Sequence, residues 1–145
     1  MSEILVKYIV PDMKPIKQAH NKEWFDLRAA DRYVIRPREL CYIHLGVAIQ
    51  LPEGCEAILA MRSSASKKHG LSPANGIGVI DNKYCGDNDE WIMPVYNFSG
   101  TTQIIEKNTR ICQFRVQRQQ PVYDIRVVEK LGNPDRKGLG STGED

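Results

Sequence analysis

The stretch Asn75-Gly76-Ile77-Gly78-Val79-Ile80-Asp81-Asn82-Lys83-Tyr84-Cys85-Gly86 decides how the chain is read. Glycines at 76 and 78 carry no Cβ, so the backbone there can pass close to a flat ligand. Val79-Ile80 has the β-branched character of a strand, and Asp81 follows at a turn. Taken singly, Asp81 is a turn former that bonds its own backbone, and Tyr84 is a core ring. The weight of the segment comes from what surrounds it.

Working outward, strand signals dominate. Ile4, Val6, Tyr8 and Val10 alternate at period two, as do Leu45, Val47, Ile49 and Leu51, which stop at the turn Pro52-Glu53-Gly54. Ala57-Ile58-Leu59-Ala60-Met61 reads as a buried strand. Ile92 to Phe98, Ile111 to Val116 and Val122 to Val128 continue the pattern. Pro37, Pro52, Pro73, Pro94 and Pro121 punctuate these segments at spacings suited to short strands. A single stretch, Ser63 to His69, reads as helix, with Gly70 as its C-cap and its serines as candidate N-terminal caps. The pattern predicts an all-β sandwich or barrel-like domain with one short helix.

The 145 residues suit one domain. Twenty basic and 18 acidic residues leave a net charge of +2, too little for a nucleic-acid or membrane surface. Phosphate, if bound, must therefore meet a few placed groups. The N-terminal sequence has no signal-peptide core, which predicts a cytoplasmic protein. Cys41, Cys55, Cys85 and Cys112 are scattered without paired spacing, and His20, His44 and His69 are likewise isolated, so no zinc site is expected. From Leu131 the chain reads LGNPDRKGLGSTGED, which cannot order itself by burial. The expected organisation is a β-domain over 1–130 and a flexible C-terminal arm over 131–145, the arm either disordered or ordered over a ligand.

Three clusters can carry chemistry. Arg62-Ser63-Ser64 sets a guanidinium and two hydroxyls at the start of the helix, a donor-rich place for phosphate. Asn75 to Gly86 is the second. The third, Asn108-Thr109-Arg110-Ile111-Cys112-Gln113, leads a turn into a strand and can aim the Gln113 amide at phosphate or at solvent. Together with Asp26-Leu27-Arg28-Ala29 and a C-terminal Gly140-Ser141-Thr142-Gly143, these pieces resemble, in order, the five motifs of the trimeric dUTPase family. The resemblance runs from about Asp26 to Gly143, and the Gly86-Asp87-Asn88-Asp89 extension after the third motif also looks similar to a subgroup seen in Gram-positive bacteria and their phages.

That resemblance implies a jelly-roll-like β-domain assembled as a homotrimer, with active sites shared between subunits and closed by the arm. It implies hydrolysis of dUTP to dUMP and pyrophosphate, with Asp81 activating the water that attacks the α-phosphorus. Mg²⁺ is the implied cofactor, carried by phosphate oxygens and water, with Asp26 structural or touching the metal through water. Asn75, Gly78, Val79 and Ile80 belong to the hairpin that reads uracil; cytosine would leave both reading positions unpaired. Tyr84 packs against deoxyribose, leaving no partner for a 2′-hydroxyl. Arg62, Ser63, Ser64, Gln113, Arg136, Ser141 and Thr142 carry over as phosphate contacts.

Three departures stand out. The first motif reads Glu23-Trp24-Phe25-Asp26, without the glycine usual before its aspartate. The fifth is short, with Leu139 where the family sets a phenylalanine over uracil. The third is followed by an extended Asp87-Asn88-Asp89-Glu90-Trp91-Ile92-Met93-Pro94. Trp91 or Ile92 is therefore a candidate replacement lid, with a core or interface Trp91 and a Leu139 lid as the alternative. Two rival functions are a dCTP deaminase or bifunctional enzyme on the same scaffold, and an inactive nucleotide-binding interaction protein.

Overall fold

Along Ile92-Met93-Pro94-Val95-Tyr96-Asn97, burial alternates: Met93, Val95 and Asn97 point inward and their neighbours outward. Period-two side chains make such a segment a strand with one face in the core. The computed structural model, which describes residues 2–17 and 21–139, repeats this device throughout. The strands are β1 (Leu5–Tyr8), β2 (Phe25–Arg28), β3 (Tyr33–Ile35), β4 (Leu40–His44), β5 (Val47–Gln50), β6 (Cys55–Met61), β7 (Leu71–Pro73), β8 (Gly78–Ile80), β9 (Ile92–Asn97), β10 (Gln103–Ile105) and β11 (Arg110–Arg118). The helix α1 spans Ser63–His69.

Two principal sheets, ordered β2-β11-β6-β8 and β4-β9-β7, are accompanied by the pairs β1-β5 and β10-β3. All pairings are antiparallel. The layers share a core that includes Leu27, Ile43, Leu59, Trp91, Val95 and Phe114. Each such side chain, fully buried, contributes about 1.5–3 kcal/mol through removal from water. Phe114 is central: it stacks on Phe25 at 5.0 Å and receives the edge of Trp91 at 5.1 Å. The arrangement is the expected all-β, jelly-roll-like domain with one short helix.

α1 carries the chain from β6 in one sheet to β7 in the other. Gly70 ends it with φ 59° and donates its N–H to Ser66 O. The serines do not cap its start, however. The N-cap is Arg62, without a side-chain bond, and Ser66 Oγ returns to Ser63 O.

The expected strand over Val122 to Val128 does not form. Beyond Arg118 no described residue lies in a strand or helix, and Val122, Ile125 and Val127 are 98%, 95% and 93% exposed. The apolar pattern there finds no sheet within its own chain to join. The packed body thus ends near Gln119, whose N–H still bonds Gly54 O, earlier than the expected 130.

Candidate active site

The site begins with a register. In β11, Gln113 lies between Asp26 of β2 and Ala60 of β6, while the next residue, Phe114, lies between Phe25 and Leu59. Alternation buries the aromatic pair and leaves Asp26 and Gln113 together on the opposite face. Arg62, the first residue beyond β6, reaches across that face to Asp26 Oδ1 at 3.2 Å. Arg110 approaches Asp26 Oδ2 at 3.4 Å. Both carboxylate oxygens thus face guanidinium groups, which fixes Arg62 in a partly buried position.

Around this pair two clefts open. One, of about 370 Å³, is lined by Glu23, Trp24, Asp26, Arg62, Ser63 and Gln113. The other, of about 180 Å³, is lined by Arg62, Ser64, Ala65, Lys68, His69, Thr109 and Arg110, with no carboxylate among them. Arg62 serves both, and the two serines point one to each. Guanidinium forks and hydroxyls so placed match the acceptor oxygens of a polyphosphate. His69 is held more readily in its neutral form by partial burial and by Lys68. Sequence reasoning had not placed Glu23, Trp24, Lys68, His69 or Arg110 at a site. Arg110 lies within the Asn108 to Gln113 cluster and Trp24 within the first motif, but spacing alone singles out neither as a site residue.

The hairpin segment is built separately. Gly76 takes φ 75°, which an L side chain rarely adopts, and nothing crowds its α-carbon. At Gly78 a Cβ would stand 3.1 Å from Leu59 Cβ, so the missing side chain lets β8 lie close against β6. Ile77 and Val79 are exposed apolar side chains on the outer surface. Asn82 pins the segment, donating to Pro52 O at 2.9 Å and Cys55 O at 2.8 Å. Asp81 is exposed; its Oδ1 accepts the Lys83 N–H at 2.8 Å and its carbonyl accepts the Tyr84 N–H at 3.0 Å. One carboxylate oxygen therefore orients the group while Oδ2 has no hydrogen-bond partner among the described residues. Tyr84 is half-exposed, its hydroxyl donating to Glu90 O at 2.9 Å.

A single chain does not unite these halves. Ile80 pairs with Ala57, and Arg62 lies five positions farther along the same strand line. Asp81, one residue beyond Ile80 in the other direction, is six positions from Arg62 along that line; at about 3.3 Å per residue the two are on the order of 20 Å apart, at opposite ends of β6. Arg62, Ser63 and Gln113 come together, with Ser64 beside them; Asn75, Val79, Ile80, Asp81 and Tyr84 form the other group.

The lid candidate Trp91 is corrected by its burial. It is 0% exposed, wedged against Phe114, and its indole ring cannot cover a ligand. Its Nε1 has no partner among the described residues. Ile92 is partly buried at the start of β9. Leu139 is 105% exposed and Arg136 is also exposed, neither meeting the body. Ser141 and Thr142 lie outside the described residues.

A cationic, hydroxyl-bearing cleft at one end of a sheet, and an exposed apolar hairpin with an oriented carboxylate at the other, define a jelly-roll-like β-domain equipped for a nucleotide. A family profile described as dUTPase matches residues 14–143. The chain is 44% identical over 141 residues to the SPbeta prophage-derived deoxyuridine 5'-triphosphate nucleotidohydrolase YosS of Bacillus subtilis (strain 168), covering 97% of this chain and 98% of that protein. It is 33% identical over 149 residues to the deoxyuridine 5'-triphosphate nucleotidohydrolase of Escherichia phage T5, covering 97% and 98%. Among solved structures, the Staphylococcus bacteriophage 80alpha dUTPase with dUPNHPP superimposes with a TM-score of 0.82 at 22% identity, covering 99% of each chain. The chain belongs to the dUTPase family.

Proposed function

We propose that this protein is a dUTP diphosphatase, hydrolysing dUTP to dUMP and pyrophosphate at sites formed between copies of the chain. The observation that carries the reading is Asp81, held by its own turn with one oxygen outward, beside a half-exposed Tyr84. In this reaction a water oxygen bonds to the α-phosphorus, its proton passes to Asp81, and the α–β bridging bond breaks to release pyrophosphate. A positioned carboxylate base supplies about 10²–10⁴ in rate. Arg62, Ser63, Ser64 and Gln113 hold the phosphate chain, and orientation supplies much of the rest. Uracil lies against the hairpin of Asn75, Gly78, Val79 and Ile80, whose backbone groups read its edge. Tyr84 faces the deoxyribose, so a ribose hydroxyl would be buried unsatisfied at a cost of about 1–3 kcal/mol.

The separation along β6 supports sharing: the base of one copy meets the phosphate cleft of another, in a homotrimer as the family implies. The exposed Val122, Ile125 and Val127 suit a segment that packs on a neighbouring copy and delivers Arg136, Leu139, Ser141 and Thr142 to the nucleotide. Leu139, or Ile92, is then the apolar cover over uracil.

Mg²⁺ suits this arrangement as a companion of the substrate. Among the described residues no group of three potential ligands occurs, and Asp26 is occupied by Arg62 and Arg110. The ion would be held by phosphate oxygens and water, neutralising charge on the triphosphate. The free thiols of Cys41, Cys55, Cys85 and Cys112 suit a reducing cytoplasm. The deaminase alternative is disfavoured because the Glu90 carboxylate is engaged by His44 and the Gly46 N–H. The test is pyrophosphate release from a panel of nucleoside triphosphates, with and without Mg²⁺, for wild type and Asp81→Asn. Asn can still accept from Lys83 N–H, so the variant should fold, bind dUTP and lose about 10²–10⁴ in kcat. An Asn variant retaining a tenth or more of wild-type kcat overturns the assignment.

A further inference from the structure

Tyr84 is held at both ends, by Asp81 O at its amide and by Glu90 O at its hydroxyl. An exposed tyrosine ordinarily samples several rotamers; this one ends on a carbonyl that is itself immobilised. Glu90 N–H donates to Asn88 O at 3.0 Å. Its side chain is clamped twice, Oε1 at 2.8 Å from His44 Nδ1 and Oε2 accepting Gly46 N–H at 2.9 Å. The next residue, Trp91, is locked in the core, donating to Val47 O and accepting from Leu45 N–H. Gly46 sits at φ 69° where a Cβ would meet Val10 at 2.6 Å, so the corner holding Glu90 is closely packed. Ahead of Glu90, Gly86 and Asp89 bond each other, and Lys7 bonds Asp87 O.

We propose that Glu90 is a positioning residue for Tyr84, and that the 87–91 segment is a brace that sharpens sugar selection. The inference rests on reading Tyr84 as the residue that faces deoxyribose. It gives the extension a purpose other than a lid: Trp91 is the buried anchor, Glu90 the strut and the Tyr84 ring the working surface. With its O–H donated to Glu90 O, the ring keeps no free donor for a 2′-hydroxyl at that tip. A ring free to swing would make room for ribose.

The test compares kcat/KM for dUTP and UTP in wild type, Tyr84→Phe, Glu90→Ala, Glu90→Gln and the double variant Tyr84→Phe/Glu90→Ala. Tyr84→Phe removes only the bond at an exposed tip, and should lower the dUTP-to-UTP ratio about tenfold. Glu90→Ala should match it. Glu90→Gln, which can still accept from Gly46 N–H and donate to His44, should stay within about threefold of wild type. The double variant should fall no further than Tyr84→Phe alone. An unchanged ratio in Tyr84→Phe overturns the brace, even if Glu90→Ala fails to fold, as do multiplicative losses in the double variant. Tyr84→Ala separates the two levels: if it lowers the ratio while Tyr84→Phe does not, only the brace falls. If Tyr84→Ala also leaves the ratio unchanged, the sugar-facing role falls with it.

Discussion

Replacing Trp91 by Ala separates a core residue from a lid. The indole is fully buried and meets Phe114 edge-on at 5.1 Å, and Phe114 in turn stacks on Phe25. Removing it leaves a cavity beneath the aromatic stack, at a cost of about 3–5 kcal/mol. With an unfolding entropy of about 2.1 cal/mol/K per residue, a chain of this size should lose about 10–15 °C in Tm. Leu139→Ala is the counterpart. Its side chain touches nothing in its own subunit, so Tm should not move. If it covers uracil, losing its branched end should weaken binding of a non-hydrolysable imido analogue of dUTP by about 5–30-fold. Thermal unfolding at fixed protomer concentration and calorimetric titration read the two quantities independently. A Trp91→Ala protein with wild-type Tm and weakened analogue binding would refute the burial argument and return the indole to the nucleotide.

Other expectations follow from single features. Gly46→Ala forces a side chain into left-handed backbone against Val10 and Ala30, and should cost at least about 1–2 kcal/mol in denaturant titration. Burial, with Asp26 nearby, holds the Cys112 thiol protonated well above the ordinary range. A thiol reagent should therefore label exposed Cys85 rapidly and native Cys112 hardly at all. The same shift fixes a pH sign: the native state keeps its proton where the unfolded chain has lost it. The contribution is complete below the unfolded thiol value and wanes as pH rises above it, so Cys112→Ala should flatten the alkaline limb of the stability curve. Truncation after Gln120 leaves β11 and the core intact, so the shortened chain should fold cooperatively, yet hydrolyse dUTP at a small fraction of the wild-type rate.

Where a segment's partner lies within the chain, sequence reading located it well. Ala57 to Met61 within Cys55–Met61, Ile92 to Phe98 over Ile92–Asn97, and Ser63–His69 closed by Gly70 all stood out by apolar run or by cap. Short strands such as Tyr33–Ile35 and Gln103–Ile105 did not, because three residues hold too little alternation to register. Val122 to Val128 misled for the opposite reason. Its apolar residues satisfy the strand pattern, yet a pattern reports what a segment must bury and not which chain provides the cover. At the site, the ordered motifs singled out Arg62, Ser63, Gln113 and Asp81, yet gave no hint of their division across β6. Nor could spacing show that both oxygens of Asp26 face guanidiniums, or that Gly78 is small for the sake of Leu59. Both depend on strand register, which the sequence encodes only through contacts distant along it.

The distance between Asp81 and Arg62 along one strand reaches beyond geometry to dosage. On the shared-site reading, a solitary polypeptide owns half a set of tools, so specific activity should collapse on dilution below the dissociation constant of the assembly. Two dead alleles, one lesioned at Asp81 and the other at Gln113, should revive each other when co-expressed, since some mixed assemblies pair the two sound halves. Catalysis would then be a property of the population of chains, inherited by none of them singly.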